Sequence, residues 1–307
     1  MKKLVCGSYI PGGLSRESAE KIDFKKITHV FVAFSTLRKE GELYLPCVSD
    51  EVKKGIRLIH DEIERQSAPT LVLLSIGGAC ADFFCEASRS EENRAGFARR
   101  CAQMSQELSL DGIDMDWEFP GLPHGGISAC EHCVHDFTLL CKSIREAIGG
   151  RLLTAAMGSD HWNRLENAEL NELLDLANIM TYDMNNTAHS CMTLTVSAME
   201  GWAKNGIDKE KLVLGIPFYA RCEDPDYEWR GYDGLMQMVQ NGEAQLLCGY
   251  EQDYIVIDGK KLSIDTPDSI RRKTAYVKAN GFAGIFNWQE LTDRDGELRN
   301  AMAEILE

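Results

Sequence analysis

The segment Asp111-Gly-Ile-Asp-Met-Asp-Trp-Glu-Phe-Pro-Gly121 carries three acids in strict alternation: Asp114, Asp116 and Glu118. In an extended chain residues two apart share a face. These carboxyl groups therefore line one side, while Ile113, Met115 and Trp117 face the other. Neighbouring α-carbons on that face lie roughly 6–7 Å apart, and in a confined space such acids cannot all ionise cheaply. The acid nearest the strand end, Glu118, can then be held protonated near neutral pH, which is the condition for a general acid in glycoside cleavage. Acids at strand ends also occur as solvated charges or metal ligands. Three inward acids in a strand of buried type fit neither role well, because burying charge without use is costly.

Such a strand needs a scaffold, and eight short apolar runs are available to build it. They are Lys3–Ile10, Ile27–Phe34, Thr70–Ile76, Leu110–Glu118, Leu152–Met157, Ala177–Asp183, Leu212–Tyr219 and Phe282–Trp288. Their Val, Ile, Leu and Phe content suits parallel strands buried on both faces. Helical patterns with caps lie between them. Ser49 and Ser90 precede amphipathic stretches with acids in the first turn, and Thr266-Pro267 opens a helix that stops before Gly281. Eight β/α units in 307 residues match the count of a (β/α)₈ TIM barrel. A doubly wound open sheet is the competing architecture. One domain over residues 1–307 is expected, with 222–265 as an extended loop between the seventh and eighth strands. Within that loop Asp258-Gly259 reads as a tight hairpin turn.

The charge balance narrows the partners. With 33 Lys+Arg against 48 Asp+Glu, the net charge is −15, so nucleic acid or an acidic membrane surface would be repelled. No apolar run reaches the ~20 residues of a membrane span. After the opening MKK no apolar stretch long enough for a secretory leader follows, so a cytoplasmic location is expected, or a secreted one if the native start has been replaced. The 11 cysteines are spread widely through a long chain and are expected as free thiols. Nothing in the sequence specifies an oligomeric state.

Asp111-Gly-Ile-Asp-Met-Asp-Trp-Glu118 resembles the D-G-x-D-x-D-x-E signature of glycoside hydrolase family 18, the chitinase family. The likeness continues along the chain. LLSIGGA, with Ser75, Gly77 and Gly78, resembles the family's third strand. IMTYDM resembles its sixth, GIPFYAR its seventh, and the run ending at Trp288 its last. The resemblance implies retaining cleavage of β-1,4-linked N-acetylglucosamine, with the substrate's own acetamido group as nucleophile. Glu118 would protonate the leaving oxygen. Asp116 would orient the acetamido group, Asp114 would share a proton with Asp116, and Tyr182 would bond the acetamido carbonyl. Trp288 would floor the sugar at the cleavage point. Tyr9, Met180 and Asp183 are expected sugar contacts, with Phe34, Tyr219 and Arg221 at neighbouring strand ends. Asp111 would brace the strand entrance, and Gly77 and Gly78 would let backbone pass close to the site. The expected partner is an N-acetylglucosamine-containing oligo- or polysaccharide, with no metal or cofactor. An endo-β-N-acetylglucosaminidase acting on N-glycan cores and a non-catalytic chitin-binding lectin are the alternatives. Tyr182 disfavours the first and the intact Glu118 the second.

Other features are less pointed. Trp162 and Trp229 in loops could bind further sugars or cap the core. Cys130-Glu-His-Cys133-Val-His135, with Cys141 downstream, has metal-ligand residue types, but a lone C-x-x-C without a second distant pair is a weak signal. His124, just after the acidic strand, could line the cleft or belong to a mobile loop. Ala220 and Asn287 stand where the family often has glycine and a larger apolar residue, which leaves the shape of the sugar subsites open. The excursion after Arg221 is short for the larger α+β insertion that secreted members of the family often carry between strands seven and eight, which implies a shallower cleft on that side.

Overall fold

The computed structural model describes residues 4–185, 187–224 and 230–307. Eight parallel strands form a closed ring: β1 (Val5–Pro11), β2 (His29–Glu40), β3 (Leu71–Gly77), β4 (Gly112–Asp116), β5 (Leu152–Gly158), β6 (Leu176–Met180), β7 (Leu212–Pro217) and β8 (Gly284–Trp288). Each pairs with the next, and β1 closes the ring by pairing with both β2 and β8. This is the (β/α)₈ barrel, and the open sheet is excluded.

Alternation along the strands sorts side chains into two layers. Tyr9, Phe31, Leu73, Val213 and Phe286 point inward and fill the barrel interior, with Tyr9 stacked on Phe31 at 4.7 Å between ring centres. The opposite faces, including Ile113, Met115 and Trp117, join the larger core between barrel and helices. Trp117 stacks on Phe84 at 5.1 Å. The interior is tight enough that a Cβ at Gly7 would come within 2.9 Å of the Phe31 ring.

The caps fall where the residue types place them. Ser49 accepts a hydrogen bond from Val52 N–H ahead of helix Asp50–Gln66, and Ser90 from Asn93 N–H ahead of helix Glu91–Glu107. Thr266 and Ser269 form a reciprocal capping pair at helix Pro267–Asn280, which ends at Gly281 with φ +73°. A cap of this kind contributes about 1 kcal/mol.

Boundaries differ in informative ways. β2 runs on to Glu40 and turns back through Leu43–Cys47 in an antiparallel hairpin. The apolar run read in the sequence ends at Phe34, ahead of Arg38, Lys39, Glu40 and Glu42. β4 stops at Asp116, where its ladder with β3 ends at the Gly77–Asp116 pair, so Glu118 stands beyond the strand on the barrel's rim. The excursion after β7 folds into helix Tyr232–Gln240 and a three-stranded antiparallel sheet of Gln245–Leu247, Asp253–Ile257 and Lys260–Ile264. Its two-residue turn is Asp258-Gly259, with φ of +51° and +76°. Among the described residues no helix is long and apolar enough to cross a membrane.

Candidate active site

The three acids of the signature sit at the C-terminal mouth of the barrel, where such folds build their sites. Asp114, lowest in the lumen, is fully buried. Its carboxylate accepts hydrogen bonds from Thr154 Oγ1 (2.5 Å), Ser75 Oγ (2.7 Å), the Tyr9 hydroxyl (2.9 Å) and Asn178 Nδ2 (3.4 Å). Burial raises its pKa, and these four donors oppose the rise. Asp116 has no such cradle. It is buried, and its Oδ1 has no hydrogen-bond partner among the described residues. Burial first, then the charges of Glu118 and Asp114, push its carboxyl well above the usual range. Glu118 is pushed up to about 7 by burial and then by the charge of Asp183. The site therefore holds an acid able to give up a proton near neutral pH, beside a buried carboxyl oxygen that lacks a donor.

The backbone around these acids is close-packed. Gly78 N–H donates to the Asp116 carbonyl at 2.8 Å, and a Cβ on Gly77 would come within 2.0 Å of that oxygen. A Cβ on Gly78 would overlap the Phe34 ring. Asp111 accepts a hydrogen bond from Val72 N–H at 2.8 Å and so ties the entrance of β4 to β3. Non-proline cis peptide bonds occur at Ala33–Phe34, Glu118–Phe119 and Trp288–Gln289.

A cleft of about 250 Å³ opens above the acids. Tyr9, Phe34, Asp116, Glu118, Met180, Tyr182, Asp183, Tyr219, Arg221 and Trp288 line it. Trp288 stacks on Phe34 at 5.5 Å. A second recess of about 500 Å³ shares Glu118, Met180, Tyr182 and Asp183, and continues past Phe119, Leu122, His124 and His161. Glu118 thus stands between two halves of one groove. At the rim, Asp183 accepts hydrogen bonds from Arg221 Nη2 (2.6 Å), Arg221 Nε (2.8 Å) and the Tyr219 hydroxyl (2.9 Å), with His189 Nδ1 at 3.2 Å. Desolvation opposes its ionisation, but Arg221 and His189 overcome it and hold the carboxyl well below the usual range. Asp183 is therefore a fixed negative charge. Burial, and then Tyr219, raise the Tyr182 hydroxyl well above its ordinary pKa, so it remains a neutral donor.

Several expectations need correction. Tyr9 lines the cleft, but its hydroxyl is committed to Asp114 and so positions an acid. Asp114 is occupied by four donors, and its charge is one of the causes that push the neighbouring Asp116 carboxyl up. Asn287 bears no relation to subsite shape. It points outward from β8, accepting from Ser8 Oγ and donating to Glu290 Oε2, each at 3.0 Å. Trp162 packs over Gly201 of helix Met192–Lys204 and lines neither half of the groove. Trp229 lies outside the described residues. Of the two readings of His124, the structure supports the one at the cleft, since it lines the second recess. The free-thiol expectation fails at one pair, since Cys85 and Cys133 are joined as a disulfide. Sequence reasoning missed Ser75's role as a donor, together with Thr154, Asn178, His161 and His189. Single polar residues on apolar strands carry no signal of a shared partner until the barrel closes.

The family model described as Glycosyl hydrolases family 18 matches residues 9–293. Chitinase A1 of Niallia circulans is 28% identical over 78% of this chain, and a class V chitinase of Medicago truncatula is 25% identical over 95%. The match covers 43% of the Niallia protein and 62% of the endochitinase 1 of Metarhizium robertsii, so the chain corresponds to only part of those relatives. A family 18 N-acetylglucosaminidase from Paenibacillus barengoltzii superposes with a TM-score of 0.85 at 26% identity, covering 98% of this chain and 99% of that one. A Cycas revoluta family 18 chitinase, 21% identical over 99% of this chain and all of its own, shares the fold with a TM-score of 0.88.

Proposed function

This chain belongs to glycosyl hydrolases family 18, and from that premise we propose that it hydrolyses β-1,4-linked N-acetylglucosamine oligomers or polymers with retention, by substrate-assisted catalysis. The observation that carries the reading is the contrast between the acids. Asp114 is saturated with donors, Asp116 offers a buried oxygen with none, and Glu118 is poised near pH 7.

With a sugar chain lying across the groove, Glu118 gives its proton to the glycosidic oxygen as the bond from that oxygen to the anomeric carbon breaks. The acetamido oxygen forms a bond to the same carbon from the opposite face, giving an oxazolinium ion. Asp116 Oδ1 accepts the acetamido N–H and stabilises the positive charge that develops on nitrogen. The Tyr182 hydroxyl donates to the acetamido oxygen and keeps it in line. Glu118, now a carboxylate, takes a proton from water as the water opens the ring, so the product keeps its β configuration. No second carboxylate nucleophile is needed. Phe34 and Trp288 form the apolar floor. The recess beyond Glu118 receives the leaving sugar against Phe119 and His161.

The test is incubation with N-acetylglucosamine oligomers and with a high-mannose glycopeptide, following product lengths by chromatography and the first anomer by NMR. Oligomer cleavage with β-anomer first is expected, lost in Glu118→Gln. Equal turnover by that variant or an α-anomer first would overturn the mechanism. Cleavage of the glycopeptide alone would establish the endo-glycosidase reading instead.

A further inference from the structure

Away from the catalytic acids, two segments distant in sequence bring sulfur atoms together. The short helix Phe84–Ser88, beyond β3, carries Cys85. The loop after β4 ends with Cys130, and helix Cys133–Ile148 opens on Cys133. The three Sγ atoms lie within 4.8 Å of one another. Cys85 and Cys133 form the disulfide, with α-carbons 5.9 Å apart, and Cys130 Sγ lies 2.9 Å from Cys133 Sγ. A covalent tie between the two segments needs only two sulfurs and does not account for the third. The distant partner that Cys130-x-x-Cys133 lacked in the sequence is Cys85, 45 residues before Cys130 and set against the pair by the neighbouring strands β3 and β4.

The surroundings favour thiolates. Cys130 N–H donates to Cys133 Sγ at 3.1 Å, a hydrogen bond that strengthens as sulfur becomes negative. Cys133 also opens a 16-residue helix, whose N-terminus stabilises negative charge. Cys85 and Cys133 are buried and Cys130 is half-buried, so the cluster has a single partly open side.

We propose that in the reduced protein Cys85, Cys130 and Cys133 form a thiolate site for a soft divalent cation, with Zn²⁺ as the type case. A dithiol reductant supplies two electrons and two protons to the Cys85–Cys133 bond and leaves as its own disulfide, and the bound ion then displaces the three thiol protons to solvent. Zinc–sulfur bonds of about 2.3 Å require sulfurs roughly 3.8 Å apart. The cluster reaches that spacing through side-chain rotation about positions already in place. Solvent fills the fourth position on the partly open side. The ion pins the loop that leads away from Glu118 onto the segment that follows β3.

The test uses the whole chain, reduced with dithiothreitol, desalted without oxygen, exposed to Zn²⁺ alone and desalted again. Elemental analysis is expected to find about one zinc per chain in the parent and in Cys248→Ser, an exposed cysteine outside the cluster, and background in Cys130→Ser. Cys130→Ser retains both cysteines of the disulfide, so a purely covalent tie would leave it unchanged. Co²⁺ in place of Zn²⁺ should give the parent a sulfur-to-metal charge-transfer band in the near ultraviolet, a readout independent of any variant's folding. Equal zinc in parent and Cys130→Ser, or a fully reduced parent that takes up neither ion, would overturn the proposal.

Discussion

The hydroxyl of Tyr9, on β1, donates a 2.9 Å hydrogen bond to Asp114, on β4, across the interior of the barrel. The two residues are 105 positions apart in sequence. With Ser75, Thr154 and Asn178, Tyr9 gives the deepest acid enough donors to remain in place under full burial. Replacing it with Phe should lower kcat about tenfold with little change in KM, because the removed bond touches an acid and not the sugar. Steady-state kinetics on an N-acetylglucosamine oligomer decide this, and a change confined to KM would make Tyr9 a sugar contact after all.

Glu118→Gln should lower kcat by roughly 10²–10⁴-fold, the usual contribution of a positioned general acid. Oligomer binding should survive, since the amide keeps the shape of the carboxyl. Calorimetric titration of the variant with an N-acetylglucosamine oligomer reads the second half of the claim.

The pH profile has a definite sign. Glu118 must be protonated to act, so kcat/KM should fall as pH rises through about 7. The fixed charge of Asp183 helps set that value. Asp183→Asn should therefore move the alkaline limb to lower pH, whatever it does to the height of the profile. A limb that stays in place would show that burial alone tunes the acid, and one that moves to higher pH would contradict the assigned role of Asp183.

Stability follows the same linkage. The folded-state pKa of Glu118 lies above the ordinary 4.5, so the folded chain binds this proton more tightly than the unfolded one. Its contribution to stability is greatest below pH 4.5 and declines as pH rises to about 7. Glu118→Gln removes that decline. Relative to the parent, the variant should gain several degrees in melting temperature at pH 8 compared with pH 4, measured by calorimetry at both values.

Asn287 tests which way the last strand faces. Its amide satisfies Ser8 and Glu290 behind β8, while its neighbour Trp288 faces the cleft. Asn287→Leu should cost about 1–3 kcal/mol of stability, through the loss of two buried hydrogen bonds beside the remaining Ser8–Glu290 bond, and leave KM unchanged. Denaturant unfolding and kinetics on the same preparation separate the two effects, and a raised KM at parental stability would contradict the geometry.

The alternation of Asp114, Asp116 and Glu118, the apolar runs and the helix caps are local facts, and local physics reads them directly. Side-chain direction in a strand has a period of two, and a cap acts within three residues of itself. That was enough for the barrel, for the acid at its rim, and for the tight turn at Asp258-Gly259. It was not enough for Leu43–Cys47, whose charged approach hides a strand that only its partner β2 stabilises. Nor could it distinguish Tyr9 as a support for Asp114 from Tyr9 as a sugar contact, because that depends on which residues the closed ring sets opposite each other. The same holds for Asp183, whose charge is settled by Arg221 and His189, and for Cys85, which meets Cys130 and Cys133 only because β3 and β4 are neighbours. Periodicity along the chain decides which face a residue occupies. Ring closure decides what it faces, and with it the ionisation of every acid in the site.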